Sequence, residues 1–324
     1  MKRSILTILV AITMVLPVMA QRPKVGLVLG GGGAKGAAEV GALRVIEEAG
    51  IPIDYVAGTS IGAIVGGLYA AGYQADELGG LFLTQEWTSL LTDRRDDLST
   101  TVYKELDGIT YIFGFPVFDK NSRQMGLLRG QKVQAVLDSM LTLKGHREFS
   151  SLPTPFKCVT SELRTASEVV LSDGLLAQAM RASMAIPGVF RSVMIDGRLL
   201  IDGGMMNNLP VDVVKQMGSD LVIAIDLQQE QREAPAADTT SPFNVIADMV
   251  GVGGLYGWIT TRPDIRKYQA NRKQADVYIH PPLPDYEASS FGKEKIGQMM
   301  AIGEKAAREQ WGKLVELKEK LRQK

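Results

Sequence analysis

Four consecutive glycines, Gly30 to Gly33, join two segments of different periodicity. Before them, Lys24 to Leu29 is apolar and β-branched and predicts a strand. After them, Ala37 to Glu48 sets Val40, Leu43, Val45 and Ile46 on an apolar side, which predicts a helix that Gly50 and Pro52 end. The order then repeats. Tyr55 to Ala57 reads as a strand, Gly58-Thr59-Ser60-Ile61-Gly62 as a sharp turn, and Ile61 to Ala70 as a small apolar helix. Strand, turn and helix, twice over, point to a parallel sheet with helices on its faces.

Both turns suit chemistry. Glycines allow positive φ and close approach of backbone to a ligand, and free N–H groups at a helix start point at negative charge. Gly31, Gly32, Gly33, Lys35 and Gly36 are therefore candidates for an oxyanion hole, with Lys35 either adding positive charge or simply solvated. Gly31, Gly33 and Gly36 also fit G-x-G-x-x-G, so a nucleotide-binding loop competes. That reading wants an acid at the end of the second strand, where Gly58 stands instead; Asp54 precedes the strand. Gly58 and Gly62 flank Ser60 as in a nucleophile elbow, the alternative role for the serine being a helix cap.

A serine hydroxyl needs a base. Asp202, in Asp202-Gly203-Gly204 after the apolar run Arg198 to Ile201, can serve if it reaches the hydroxyl and if partial burial lifts its pKa. The chain has two histidines, His146 in a polar loop and His280 after a short strand. The order Ser60, Asp202, His280 matches an α/β-hydrolase triad, so that arrangement is a rival. Asp196-Gly197 lies between Val193 to Ile195 and Arg198 to Ile201 and reads as a plain hairpin turn.

Residues 1–20 have the layout of a secretory signal peptide: Lys2 and Arg3, an apolar run from Ile5 to Val15, Pro17, and small Ala20 before Gln21. They predict a secreted or periplasmic protein. The 36 basic and 36 acidic residues give no electrostatic case for a nucleic-acid partner. Cys158, the single cysteine, excludes an intrachain disulfide and reads as a buried strand residue. Trp87 to Met125 looks irregular and carries Tyr103, Tyr111, Phe113, Phe115 and Phe118, a candidate lid or membrane-facing element whose aromatics could equally be core. Gln228 to Ser241 reads as an exposed loop, and the chain from Glu287 onward as helical.

Leu29 to Gly36, Gly58 to Gly62 and Asp202 to Gly204, in that order, resemble the three motifs of the patatin-like phospholipases. Arg181 to Gly188 is similar to the segment preceding that family's aspartate. The resemblance runs from about Lys24 to Pro282. It implies a three-layer α/β/α fold with a mostly parallel central sheet, spanning 24–284 and followed by a helical segment, 285–324. It implies hydrolysis of phospholipid or related acyl esters by a Ser60–Asp202 dyad, with no cofactor and no metal, and with a peripheral membrane surface as the place of work. One departure is Glu39, where many bacterial members carry histidine; it falls on the helix after the loop, away from the dyad.

Overall fold

The computed structural model describes residues 22–119, 128–229 and 265–322. The expected signal segment and most of the expected loop at Gln228 to Ser241 lie outside them. The chain opens as read: β1 (Val25–Leu29) passes through the glycine loop into α1 (Gly36–Ala49), and β2 (Tyr55–Thr59) passes through Ser60 into α2 (Ile61–Ala70). Helices α3 (Ala75–Thr84) and α4 (Trp87–Thr92) lead to three short strands, β3 (Lys104–Leu106), β4 (Ile109–Ile112) and β5 (Phe115–Asp119). Then come α5 (Gln131–Lys144), β6 (Phe156–Glu162), β7 (Ser167–Leu171), α6 (Leu176–Ser183), β8 (Val193–Ile195) and β9 (Arg198–Asp202). The chain continues through α7 (Val211–Gln216), β10 (Leu221–Ile225), α8 (Ile265–Arg272) and β11 (Val277–Ile279), and ends in α9 (Lys293–Glu309) and α10 (Trp311–Arg322).

The main sheet has eight strands in the order β11-β10-β1-β2-β6-β9-β8, with β7 also on β6. From β11 to β6 every pair is parallel; β7, β8 and β9 are antiparallel additions. Side chains alternate across it. Leu27, Leu29, Ile223 and Ile225 face the layer that contains α1, α2 and α9, whereas Val28, Val222 and Ala224 pack on Val211, Val213 and Val214 of α7. The result is a three-layer α/β/α architecture with both faces of the parallel strands covered.

Strand β6 organises the site. Its Phe156 to Val159 pair with β2, and its Thr160 to Glu162 pair with β9. Strand β7 pairs with Cys158 to Glu162, overlapping both, so it must hold the opposite edge. Strands β2 and β9 therefore lie on the same edge and run toward each other. Thr59 ends one opposite Val159, and Asp202 ends the other opposite Thr160.

Two features differ from the sequence reading. Trp87 to Met125 contains a three-stranded antiparallel sheet, β3-β4-β5. Its turns are Asp107-Gly108 (φ 51° and 77°) and Phe113-Gly114 (φ 47° and 80°), two-residue connections with both residues at positive φ. The Asp-Gly pair was a legible hairpin signal. The aromatics also divide: Trp87 and Tyr111 are buried, Tyr103 and Phe113 exposed, and the Phe118 side chain lies outside the described residues. Secondly, the C-terminal helices are built into the core. A Cβ at Gly41 of α1 would come within 1.9 Å of the Met300 carbonyl oxygen, and one at Gly303 of α9 within 1.9 Å of the Ala38 carbonyl oxygen. These glycines let the helices meet backbone to backbone. Among the described residues no helix is long and apolar enough to cross a membrane.

Gly303→Ala should force α9 off α1 at a cost of about 1–3 kcal/mol, typical of overpacking. Thermal unfolding of the variant checks this; an unchanged midpoint would contradict the close packing.

Candidate active site

Ser60 sits at the corner between β2 and α2 with φ 56° and ψ −122°, a left-handed conformation unfavourable for a side-chain-bearing residue. Its surroundings hold it there. The Ser60 N–H donates to Ser183 Oγ at 2.8 Å, and Ser183 Oγ in turn donates to the Val159 carbonyl at 2.6 Å. The flanking glycines are sterically required. A Cβ at Gly58 would meet the Gly62 carbonyl oxygen at 2.2 Å, and one at Gly62 the Leu29 carbonyl oxygen at 2.4 Å.

The Ser60 hydroxyl donates to Asp202 Oδ2 at 2.7 Å, and Asp202 Oδ1 accepts the Gly204 N–H at 2.7 Å. Both residues are buried, at 8% and 3% exposure. Burial raises the Asp202 carboxyl to about 6, against the opposing pull of the Ser60 and Gly204 hydrogen bonds. The group is thus a stronger base than a free aspartate and is still mostly ionised at neutral pH. Gly203 is obligatory, because a Cβ there would lie 2.2 Å from the Val159 carbonyl oxygen.

The glycine loop lies beside the serine: a Cβ on Gly31 would sit 3.2 Å from Ser60 Cβ. Its donors are unequal. The Gly30 N–H is given to Ile225 O, Gly31 to Asn208 O, Ala34 to Ala288 O and Lys35 to Gly32 O, at 2.7–3.3 Å, and the Gly36 N–H goes to Gly33 O and Ala34 O. Gly32 and Gly33 are left as the loop's N–H groups with no acceptor among the described residues. The donor set is therefore narrower than the motif: the amides of Gly31, Lys35 and Gly36 shape the loop. Lys35 is not solvated. It is buried, and burial lowers its pKa to about 8, with Asp226 pulling the other way. Glu39 is fully buried on α1, and burial pushes its pKa well above the carboxylate range against the pull of the nearby Gly30 N–H.

The rival arrangements separate from this geometry. His280, just beyond β11, makes a ring-nitrogen hydrogen bond with the Gln228 carbonyl and stacks on Tyr278. Three strand spacings, about 14 Å, separate β11 from β2, so His280 is not beside Ser60 and the rival triad does not form. Asp54, which precedes β2, binds the Val25 N–H and pairs with Arg22 and Lys24 at the amino end of that strand, and the acid at its carboxyl end, Asp202, is taken up by the Ser60 hydroxyl and the Gly204 N–H. Cys158 is buried in β6 as read, and burial pushes its thiol up to about 12.

Sequence reasoning missed several contributors. Asn208 brackets the loop, accepting from Gly31 N–H through its carbonyl and donating Nδ2 to Gly31 O at 3.1 Å. Thr59 Oγ1 donates to Asn207 O at 2.8 Å, tying the elbow to the chain after Asp202. An apolar pocket also opens at Ser60, walled by Ile64, Trp87, Leu91, Val133, Phe190 and Phe291. The adjacent polar pair Asn207-Asn208 just after Asp-Gly-Gly was the available signal for the first two; nothing local announced the pocket.

The site thus joins a buried serine bonded to a lifted aspartate, two glycine amides with no acceptor among the described residues, and an apolar pocket, on an α/β/α fold. The family model described as patatin-like phospholipase matches residues 27–215, and the chain belongs to that family. It is 35% identical over 216 residues to an uncharacterized NTE family protein of Mycobacterium bovis, covering 67% of this chain and 52% of that one. It is 30% identical over 294 residues to the human patatin-like phospholipase domain-containing protein 6, covering 83% of this chain and 19% of that one. The chain thus spans about half or less of these relatives. Among solved structures, the type III effector ExoU is similar with TM-score 0.45 and 16% identity, over 94% of this chain and 54% of that one. VipD from Legionella pneumophila is similar with TM-score 0.45 and 14% identity, over 90% and 67%.

Ser60→Gly and Ser60→Ala both delete the hydroxyl, but only glycine relieves the positive φ. The glycine variant should be the more stable by about 1 kcal/mol. Denaturant titration of the pair tests this, and equal stability would mean that the corner is unstrained.

Proposed function

We propose that the protein hydrolyses lipid acyl esters through a Ser60–Asp202 dyad. The observation that carries this reading is the 2.7 Å hydrogen bond from the Ser60 hydroxyl to a buried, pKa-raised carboxylate. As Ser60 Oγ attacks the acyl carbonyl carbon, its proton passes to Asp202 Oδ2. Negative charge then develops on the carbonyl oxygen, where the Gly32 and Gly33 amides and the N-terminus of α2 are the available donors. Collapse of the tetrahedral intermediate expels the alcohol or lysolipid, which takes the proton back from Asp202. Water then enters and attacks the acyl carbon while giving a proton to Asp202; as the acyl–oxygen bond breaks, Asp202 returns that proton to Ser60 Oγ and the free fatty acid leaves. Each step balances with these two side chains, and no metal, cofactor or histidine is invoked.

The apolar pocket beside Ser60 and the family membership support a lipid substrate. Work at a membrane surface is part of the proposal: Val102, Tyr103, Ile112 and Phe113 stand exposed at the end of the small sheet that carries the β4–β5 turn, where amphipathic and apolar side chains could meet an interface. The signal-like residues 1–20 would place that work outside the cytoplasm.

Labelling of the purified protein with a fluorophosphonate probe should be abolished in Ser60→Ala. Ester hydrolysis should fall at least 10³-fold in Ser60→Ala and Asp202→Asn and little in His280→Ala. Loss in His280→Ala with the fold intact would restore the triad.

Because the reacting form of Asp202 is the carboxylate, kcat/KM should be level above pH 7 and fall tenfold per unit well below about 6. A profile flat down to pH 4 would exclude a raised aspartate as base. Polar substitution of Tyr103 and Phe113 should lower hydrolysis of phospholipid vesicles more than that of short soluble esters; equal losses on both would remove the interfacial role.

A further inference from the structure

The acyl pocket is finished by residues far outside the motif-bearing part of the chain. The family match ends at residue 215, yet Ala288 and Phe291 line the same pocket as Ser60 and Gly33. They belong to a short strap between β11 and α9. The strap is anchored at both ends: the Leu283 N–H donates to Gln229 Oε1 at 2.9 Å, and α9 is fixed on α1 through Gly41 and Gly303. It also touches the chemistry directly. The Ala288 carbonyl accepts the Ala34 N–H at 2.7 Å, and a Cβ on Gly33 would lie 2.7 Å from Ala288 Cβ. One strap thus braces the glycine loop and walls the pocket.

The adjoining wall is equally fixed. Trp87 of α4 is held by its Nε1–H donating to the Phe82 carbonyl at 2.8 Å. Its ring stacks on Phe291 with centroids 5.1 Å apart and contacts Phe82 at 5.2 Å. Leu91, one turn on from Trp87, lines the same side. Apart from the Ser60 hydroxyl, every side chain around this space is apolar. Among the described lining residues no charged side chain is present to receive a charged acyl group, and burying one there would be costly.

From this we infer that the strap and α4 together form a selectivity filter for the substrate's acyl tail, with Phe291 and Leu91 setting the length of a straight aliphatic chain accepted next to Ser60. The inference rests on the hydrolase reading above and extends it to the substrate class. Each methylene buried in such a pocket should raise kcat/KM by about fourfold, the value of CH₂ transfer out of water, until the chain meets the ring wall.

The test is a series of p-nitrophenyl esters from acetate to laurate, run on wild type, Phe291→Ala, Phe291→Leu and Leu91→Phe. Wild type should show kcat/KM climbing with length and then levelling. Phe291→Ala should move the break to longer chains and raise the long-to-short ratio about tenfold, close to two further methylenes. Phe291→Leu, which keeps most of the packing, should move it less in the same direction, and Leu91→Phe should move it toward shorter chains. Proportional losses across all esters, or an unchanged break in every variant, would overturn the filter. Labelling by a small fluorophosphonate separates the two levels. If Ser60 is labelled in all four proteins and the break does not move, only the filter falls. If wild type itself is not labelled, the nucleophile falls and takes the filter with it.

Discussion

The hydrogen bond between Ser60 and Asp202 exists because β2 and β9 share one edge of β6 and approach it from opposite directions. Consecutive residues of β6, Val159 and Thr160, receive the last residue of each. Neighbouring residues on a strand are about 3.3 Å apart, so the two chain ends are brought within reach although the two side chains are 142 positions apart in sequence. The meeting point is crowded with backbone. That crowding explains why Gly58, Gly62 and Gly203 all face a carbonyl oxygen where a Cβ would stand.

The surroundings suit that contact to the proposed chemistry. Parallel strands β1 and β2 deliver the glycine loop and the serine corner side by side at their carboxyl ends, where ligands of open α/β sheets bind. Asn208 and Ala288 occupy the loop's Gly31 and Ala34 amides, whereas those of Gly32 and Gly33 have no acceptor among the described residues. Burial removes water from Asp202 and lifts its basicity, while its two hydrogen bonds limit the rise. Strain at Ser60, loss of solvation at Asp202 and close packing of glycines all oppose folding locally. They are offset by the apolar layers on both faces of the sheet and by the α1–α9 contact.

The motif-bearing parts were legible because their chemistry is local. A strand, a glycine turn and a helix announce themselves within about fifteen residues, so β1–α1, β2–α2 and the β8–β9 hairpin could be read from residue types alone. The small sheet was overlooked although Asp107-Gly108 marks its first hairpin, because charged and turn residues mask the short alternation of β3 and β4. Lys35 was read as a residue of the glycine loop that either adds charge or is solvated, and Glu39 as lying away from the dyad. Both are buried, a consequence of α9 and the strap closing over α1, which no local pattern encodes.

The sequence alone determined the alternation of strands and helices, the two backbone corners that demand glycine, and the pair of side chains suited to acyl transfer, since each depends on residues adjacent in the chain. Only the tertiary structure decided that Asp202 rather than His280 reaches Ser60, which amides stay unspent, and that Trp87 and Phe291 wall one pocket. Those outcomes depend on strand order and on contacts between residues hundreds of positions apart, and distance in space is not written in the spacing along a chain.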